Sequence, residues 1–396
     1  MTEYDLFAIT AHGLDPVCAR ELAALGIDGR AGTGGVAWRG TSRTLYRANL
    51  ELRTASRIVA RAGEFRARGF AELERHAAKV PWGEFLQPGG TALLRVTCRK
   101  SKLYHEGAVA ERIARVLADT IGVTARVGRA SADDGEPEAD ATDTQLILVR
   151  FLRDVCTISI DSSGALLHLR GYRQALAKAP LRETIAAAML LECGWRGASP
   201  LIDPFCGSGT IPIEAALIAR RIAPGLANPL HEPRPFAFRH WPHFDERLWQ
   251  DVVATARSAV RDVSVAITAS DRDGGAIAAA RANAARAGVD HDIEFRRARL
   301  SELEPRSGPG HLVTNPPYGI RVGERGELYA LYGALGRIVN ERLPGWTVTL
   351  LSADDALAAA TGLPFEERLG TRNGGIPVRL LSARVGAGAH PAADPV

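Results

Sequence analysis

The chain is poor in cysteine and in aromatic residues. It has 5 cysteines among 396 residues, scattered without a C-x-x-C pair or a cysteine–histidine cluster, and aromatic residues make up 6%. This pattern argues against a disulfide framework and against a zinc site, so we expect no metal. No stretch approaches the roughly 20 apolar residues that span a membrane, and the first residues lack the features of a signal peptide. We therefore expect a soluble, cytoplasmic protein.

A large excess of charge of one sign is also missing. The net charge is +4 and the pI is about 8.9. A nucleic-acid partner is therefore permitted, but it would have to bind a local cluster of basic residues. The length suggests two or three domains, and 46% hydrophobic with 24% charged residues is enough for a sizeable core.

Secondary-structure signals divide the chain into three predicted domains. Residues 1–66 show a strand–helix–strand–helix pattern typical of a small α+β unit, and residues 67–170 form a second such unit, in which 131–143 is an acidic loop. In residues 171–396, apolar strands alternate with alanine-rich helices. That alternation predicts an α/β fold with a doubly wound, mostly parallel sheet.

The tetrapeptide Asn315-Pro316-Pro317-Tyr318 follows a short apolar strand, 311–314, and precedes Gly319. Two prolines end the strand and fix the backbone, so the Asn side chain and nearby carbonyls are held at a strand's carboxyl end. Open α/β sheets bind ligands there. Rigid acceptors beside an aromatic ring suit a planar base with an exocyclic amine. The motif predicts methyl transfer to a nucleobase nitrogen, and it fits guanine and adenine equally. The alternative is that Asn315 only satisfies backbone groups of a tight turn and Tyr318 packs in the core.

A glycine-rich turn lies between the strand 201–202 and a helix beginning near Thr210. Its glycines permit a tight turn, and a helix N-terminus offers free N–H groups to an anion. A plain strand-to-helix turn is the alternative. The candidate cofactor residues of this turn are Asp203, Pro204, Cys206, Gly207, Ser208, Gly209 and Thr210.

The strand 265–269 leads to Asp271, whose carboxylate suits ribose hydroxyls. Asp273 is the nearby competitor, or else the cap of the next helix. A Rossmann dehydrogenase is disfavoured because the glycine pattern is G-x-G-T and Pro occupies position 212.

These motifs together resemble class I S-adenosylmethionine-dependent amino-methyltransferases. More narrowly, the chain resembles the THUMP-domain RNA guanine-N2 methyltransferases, a group that includes the 23S rRNA large-subunit enzyme and tRNA-modifying relatives. The segments that carry the resemblance are 203–216 (DPFCGSGTIPIEAA), 315–319 (NPPYG), 179–188 before the cofactor strand, 222–226 and 236–241 after its helix, 6–14 at the start, and 101–105 (SKLYH).

The resemblance implies a Rossmann-like methyltransferase domain preceded by ferredoxin-like and THUMP domains. It implies S-adenosyl-L-methionine as the cofactor, with Thr184 and Asn315 added to its contacts, and RNA as the partner. One position departs from the family: Arg299 stands about where an acid would contact the cofactor adenine. Backbone groups or Glu302 would have to replace that acid.

Arg99, Lys100 and Lys102 form a basic loop beside Tyr104 and His105. We expect these cations, with Arg170 and Arg173, to contact RNA phosphates, and the two rings to stack on bases; a solvated loop is the alternative.

The sequence therefore predicts an enzyme that methylates guanine N2 in RNA, with 23S rRNA favoured over tRNA. More distant alternatives are a DNA adenine-N6 methyltransferase and a non-catalytic RNA-binding or assembly factor.

Overall fold

A computed structural model describes residues 3–128, 144–174, 181–262, 265–306, 308–318 and 325–386. The predicted acidic loop at 131–143, the pair Ala179-Pro180 and Gly319 lie outside these residues. Within them, none of the helices is long and apolar enough to cross a membrane.

From the N-terminus onward, the strands and helices are β1 (Glu3–Thr10), α1 (Asp15–Ala24), β2 (Arg30–Gly32), β3 (Gly35–Thr41), α2 (Ser42–Glu51), β4 (Ala55–Arg66), α3 (Phe70–Ala77), β5 (Thr91–Arg99), α4 (Glu106–Ile121), β6 (Thr124–Val127), β7 (Thr144–Leu152), β8 (Val155–Asp161), α5 (Glu183–Glu192), β9 (Leu201–Asp203), α6 (Thr210–Ala219), α7 (Glu246–Ser258), β10 (Ile267–Asp271), α8 (Gly274–Ala287), β11 (Glu294–Arg297), β12 (His311–Thr314), α9 (Arg325–Arg342), β13 (Thr347–Ser352), α10 (Asp355–Ala360), β14 (Glu366–Asn373) and β15 (Ile376–Arg384).

The chain folds into two compact units. The first contains the chain up to Thr10, Cys18–Leu167 and Pro233–Ala256; the second contains Ala11–Val17, His168–Glu232 and everything described from Arg257 onward. The three-domain division made from the sequence stays a prediction.

The first unit is built on one sheet of eight strands, ordered β2-β3-β1-β4-β8-β7-β5-β6. The long strand β4 pairs antiparallel with β1 on one side and with β8 on the other. The sequence pattern gave no indication of β4. Because this strand joins the strands of the two predicted N-terminal units, one sheet continues across the predicted boundary at residue 66.

The second unit contains the predicted doubly wound sheet, which is confirmed. Its strands are ordered β11-β10-β9-β12-β13-β15-β14. The first five are parallel, and β15 and β14 complete the sheet as an antiparallel pair. The strands β9, β12 and β13 are almost wholly buried, as expected of parallel strands covered on both faces. The carboxyl ends of β9, β10 and β12 therefore lie side by side at one sheet edge, where such folds bind ligands.

Candidate active site

The ends of β9 and β12 are joined by a buried hydrogen bond. The Thr314 hydroxyl donates to Asp203 Oδ1 at 2.6 Å, and the Phe205 backbone N–H donates to the same oxygen at 3.2 Å. Asp203 is 1% exposed. Burial raises the pKa of its carboxyl to about 7, although both donors act to lower it. A bond therefore fixes the predicted cofactor strand to the strand that carries the Asn-Pro-Pro-Tyr motif.

The glycine-rich turn adopts the conformation that its sequence predicts. Gly207 and Gly209 have φ of +51° and +86°, in the left-handed region that favours glycine. A Cβ on Gly209 would lie 3.0 Å from the Cβ of Ala280 in α8. The Asn283 side chain, also in α8, donates to the Ser208 carbonyl at 2.9 Å. The turn is thus packed against α8 and fixed by it, and Thr210 begins α6 directly after it.

Asp271 ends β10 and supports the same turn. Its Oδ2 accepts the Gly207 N–H at 3.1 Å, and its Oδ1 accepts the Asp273 N–H at 2.9 Å. Each carboxylate oxygen keeps a further lone pair, so hydroxyl donors can still bind. Asp273 caps α8 by accepting the Gly275 N–H, which is the role that the sequence offered as its alternative.

A cavity opens beside the ends of β9, β10 and β11. Pro204 and Arg299 both line it. The Glu302 carboxylate, also in its wall, accepts the Arg299 backbone N–H at 2.7 Å. The departure at Arg299 is therefore accompanied by an acid in the same wall. The other residues that line the cavity are Ile202, Thr268, Ser270, Arg296, Ala298, Leu300, Leu303, Glu304 and Arg306.

Two further features fit a nucleoside-carrying cofactor. A Cβ on Gly207 would meet nothing within 4 Å, so there is open space above the turn. The Thr184 hydroxyl is buried and finds no hydrogen-bond partner within the described part of the chain.

Cys206 joins the turn to β10 through its backbone, because its N–H donates to the Ser270 carbonyl at 3.0 Å. Its thiol is buried, which raises its pKa and keeps it an unreactive neutral group.

The Asn-Pro-Pro-Tyr motif directly follows β12. Asn315 Oδ1 is buried and has no hydrogen-bond partner among the residues that the structure describes. Pro316 is buried and Pro317 is exposed. Tyr318 is partly buried against a small cluster, and its hydroxyl accepts a hydrogen bond from the Asn373 side chain at 2.9 Å. Burial raises the pKa of that phenol, so it stays protonated.

The structure corrects two of the predicted RNA contacts. The Arg170 guanidinium forms an ion pair with Glu214 at 3.4 Å, and its side chain is 2% exposed. Arg173 pairs with Glu183 at 3.2 Å, and its side chain is 8% exposed. Both cations are enclosed among the helices of the second unit, because each buried carboxylate needs a compensating positive charge. They do not present free charge to a phosphate.

The remaining predicted RNA contacts, which belong to the first unit, are exposed. All five lie on the surface, from the last residue of β5 to the residue before α4: Arg99, Lys100, Lys102, Tyr104 and His105. The backbone of this loop is fixed: the Lys102 N–H donates to Asp154 at 2.8 Å, and the Arg153 N–H donates to the Arg99 carbonyl at 3.2 Å.

Within the same loop, the Tyr104 and His105 rings lie 4.1 Å apart, and Tyr104 is 66% exposed. Cations and rings are therefore presented together, as binding to single-stranded RNA requires.

Three residues of the site were not predicted from the sequence. Thr314 ends the apolar strand 311–314, and its sequence context predicts only a strand. Asn283 lies in an alanine-rich helix and Asn373 at a hairpin turn, and neither belongs to a motif. Only Thr314 carried a signal, because it directly precedes the motif at a strand end.

The chain matches the models of two protein families. The family model of the RMKL-like methyltransferase domain, UPF0020, matches residues 170–381, and that of the RlmL ferredoxin-like domain matches residues 5–59. The second match confirms the ferredoxin-like prediction for the start of the chain. The THUMP assignment of residues 67–170 stays a prediction.

Two curated relatives are similar over most of this chain. A Synechocystis sp. protein provisionally named RNA methyltransferase slr0064 is 35% identical over 377 residues, 95% of each chain. The ribosomal RNA large subunit methyltransferase K/L of Syntrophotalea carbinolica is 36% identical over 391 residues, which cover 95% of this chain and 53% of that protein. This chain thus spans about half the length of the latter.

Two solved structures share the fold. SMU.472, provisionally assigned as a methyltransferase and crystallised with SAH, superposes with a TM-score of 0.84 at 30% identity, covering 98% of this chain and all of its own. A Listeria monocytogenes protein named a predicted N6-adenine-specific DNA methylase superposes with a TM-score of 0.82 at 31% identity, covering 96% of both chains.

Proposed function

The chain belongs to the RMKL-like methyltransferase family, and on that premise we propose that it methylates the exocyclic N2 amine of a guanine in RNA, with large-subunit 23S rRNA as the favoured substrate. S-adenosyl-L-methionine as the cofactor is confirmed for this fold by the SAH-bound relative, because SAH is the form left after the methyl group has gone.

The unpartnered Oδ1 of Asn315 is the observation that carries this proposal. A buried acceptor without a partner costs stability, so its position calls for a ligand that donates to it. It stands at the end of β12, beside the end of β9, where the Thr314–Asp203 bond fixes both strands. An amine N–H placed there would lie next to the predicted cofactor turn.

The chemistry asks for orientation more than for acid–base catalysis. The nucleobase amine is a weak nucleophile, since its lone pair is delocalised into the ring. Hydrogen bonds from its two N–H groups to Asn315 Oδ1 and to the Pro316 carbonyl favour a more tetrahedral nitrogen and stabilise the positive charge that develops on it. Pro317 keeps those acceptors rigid, and Tyr318 stacks on the base. The cofactor supplies a methyl group activated by its sulfonium. The excess proton of the product passes to water.

The cofactor contacts are proposed in the same way. Asp203 would bind the amino group of the methionine moiety and Asp271 the ribose hydroxyls. The turn from Pro204 to Thr210 would enclose the methionine end, with Thr184 donating its free hydroxyl. Glu302, or backbone groups of the same cavity wall, would bind the adenine.

RNA as the polymer is supported by the exposed loop between β5 and α4 and by the names of the two curated relatives. tRNA guanine is the close alternative. One observation favours a different class of enzyme, a DNA adenine-N6 methyltransferase. The Listeria relative is named as such a methylase, and the Asn-Pro-Pro-Tyr motif fits adenine as well as guanine.

Nucleoside mass spectrometry separates these possibilities. The protein is incubated with a deuterated-methyl donor and one nucleic acid in each reaction. The three nucleic acids are unmodified 23S rRNA, bulk tRNA and double-stranded DNA. We expect deuterated N2-methylguanosine in the rRNA alone. Label in tRNA guanosine would reassign the substrate from 23S rRNA to tRNA. Label in deoxyadenosine would refute both the RNA and the guanine assignments. Asn315→Ala serves as the control for label that does not depend on the site.

A further inference from the structure

The turn between β14 and β15 places one side chain against the Asn-Pro-Pro-Tyr motif. Asn373 pairs with Ile376 across the turn, and the two residues between them, Gly374 and Gly375, have φ of +55° and +82°. Two consecutive positive values are typical of a type I′ turn, which fixes the register of both strands tightly. Asn373 is therefore held rigidly, and its side chain donates to the hydroxyl of Tyr318, 55 residues earlier in the chain, at 2.9 Å.

The hydrogen bonding of Asn373 is incomplete for a buried amide. The residue is 4% exposed, yet its Oδ1 is buried and has no partner within the described residues. Asn49 of the first unit offers a contrast at 1% exposure: its Nδ2 donates to Leu45 and Ser162, and its Oδ1 accepts from Ser163. A side chain retained for stability alone would be satisfied like Asn49, because an unpaired buried carbonyl opposes folding.

Tyr318 is contacted on two sides. Its ring packs against the cluster of Leu328, Tyr332 and Leu357, and its hydroxyl is bound by Asn373. The hydroxyl is the atom farthest from the backbone, so a bond there sets the direction in which the ring projects. A ring free to swing would displace a base stacked on it, and in enzymes a misplacement of about 1 Å can cost up to about 10²-fold in rate.

We propose that Asn373 is a positioning residue that acts on the acceptor base solely through the Tyr318 hydroxyl. The inference rests on the proposed function, since it gives Tyr318 the base-stacking role. It adds the β14–β15 turn to the acceptor site, far from the motifs that mark the site in sequence.

A double-mutant cycle tests this proposal. The variants are Asn373→Leu, Tyr318→Phe and the two combined, with Asn49→Leu as a matched buried-Asn control. We expect each single variant of the site to lower kcat about tenfold, with SAH affinity within about twofold of wild type. The combined variant should lose no more than either single one, because both remove the same bond. Asn373→Leu should keep or raise Tm, whereas Asn49→Leu should lower Tm and leave kcat unchanged.

Losses that multiply in the combined variant would overturn the proposal, as would a lower Tm with unchanged kcat for Asn373→Leu. The cycle is measured on whichever nucleic acid the wild-type protein methylates. The methylated nucleoside therefore decides the proposed function, and the coupling decides the role of Asn373. A wild-type protein that methylates no nucleic acid would overturn both.

Discussion

Replacing Asp203 by Asn should stabilise the second unit while weakening its binding of cofactor. The carboxyl is buried at the end of β9, and burial raises its pKa from 3.8 to about 7. Because the native pKa lies above the unfolded one, this group's contribution to stability is complete below pH 3.8 and is lost as pH rises to about 7. Above that, the native state carries the full cost of a buried carboxylate.

The size of the effect follows from the two pKa values. At about 1.36 kcal/mol per unit, the difference between 3.8 and about 7 corresponds to about 4 kcal/mol at high pH. Between pH 4.5 and pH 8, the wild-type protein should lose about 3 kcal/mol of unfolding free energy relative to Asp203→Asn. The amide keeps an acceptor for the Thr314 hydroxyl, so the strand ends stay joined.

The measurement must report on the second unit alone. Both proteins are equilibrated in urea at pH 4.5 and pH 8, then pulse-labelled with deuterium at one common pH. Mass spectrometry of the peptides that span β9 and β12 gives the unfolding midpoint. Glu366→Gln, at an exposed ion pair of β14 in the same unit, is the control and should change stability by less than about 0.5 kcal/mol at either pH.

The same variant tests the proposed cofactor role. Affinity for S-adenosylmethionine should rise with pH through about 7 in the wild type, as Asp203 ionises, and should be weaker and flat in Asp203→Asn. A stability difference that does not depend on pH would refute the argument from burial. Equal cofactor affinity in the two proteins would remove Asp203 from the cofactor site.

Other parts of the structure support three further predictions. Asn315→Ala should lower kcat by about 10²-fold or more in a radiolabelled methyl-transfer assay, with SAH affinity largely intact by calorimetry, because the lost acceptor acts mainly on the amine. Gly209→Ala should weaken SAH binding at least tenfold and lower Tm, since its φ is +86° and its Cβ would lie 3.0 Å from that of Ala280; normal affinity would show that the turn adapts. Lys102→Ala should reduce the salt dependence of RNA binding by about one phosphate contact, and an unchanged slope would exclude this exposed lysine from the RNA surface.

The second unit was predictable from sequence where chemistry and strand pattern coincide. Buried parallel strands read as short apolar runs, and a proline follows within two residues of the ends of β9 and β12, at the same sheet edge. The doubly wound rule then brings those ends together, so the cofactor turn and the Asn-Pro-Pro-Tyr motif had to be neighbours. The same rule could have predicted the Thr314–Asp203 hydrogen bond, because β12 pairs directly with β9.

Other regions could not be predicted from the sequence because they contain buried charged side chains. The central strand β4 carries Arg57, which sequence patterns assign to the surface, yet this side chain is 7% exposed and paired with Asp161, and it also donates to the Gly164 carbonyl at 2.7 Å. Arg170 and Arg173 are likewise buried in ion pairs, although the sequence predicts exposed RNA contacts. A charged side chain reads as solvent-facing unless its partner is known, and these partners lie from 10 to 104 residues away.

The Asn373–Tyr318 contact shows why a site extends beyond its motifs. Glycines after Asn373 predict a hairpin, but a hairpin alone does not say which strand it joins. Only the order β12-β13-β15-β14 places the turn within reach of the motif. The antiparallel pair β15 and β14 extends the sheet on the acceptor side, beyond β12 and β13, and the cofactor strands β9 to β11 lie on the other side of β12. Changes in that pair should therefore alter how the base is held and leave cofactor binding intact, which is the separation that the double-mutant cycle measures.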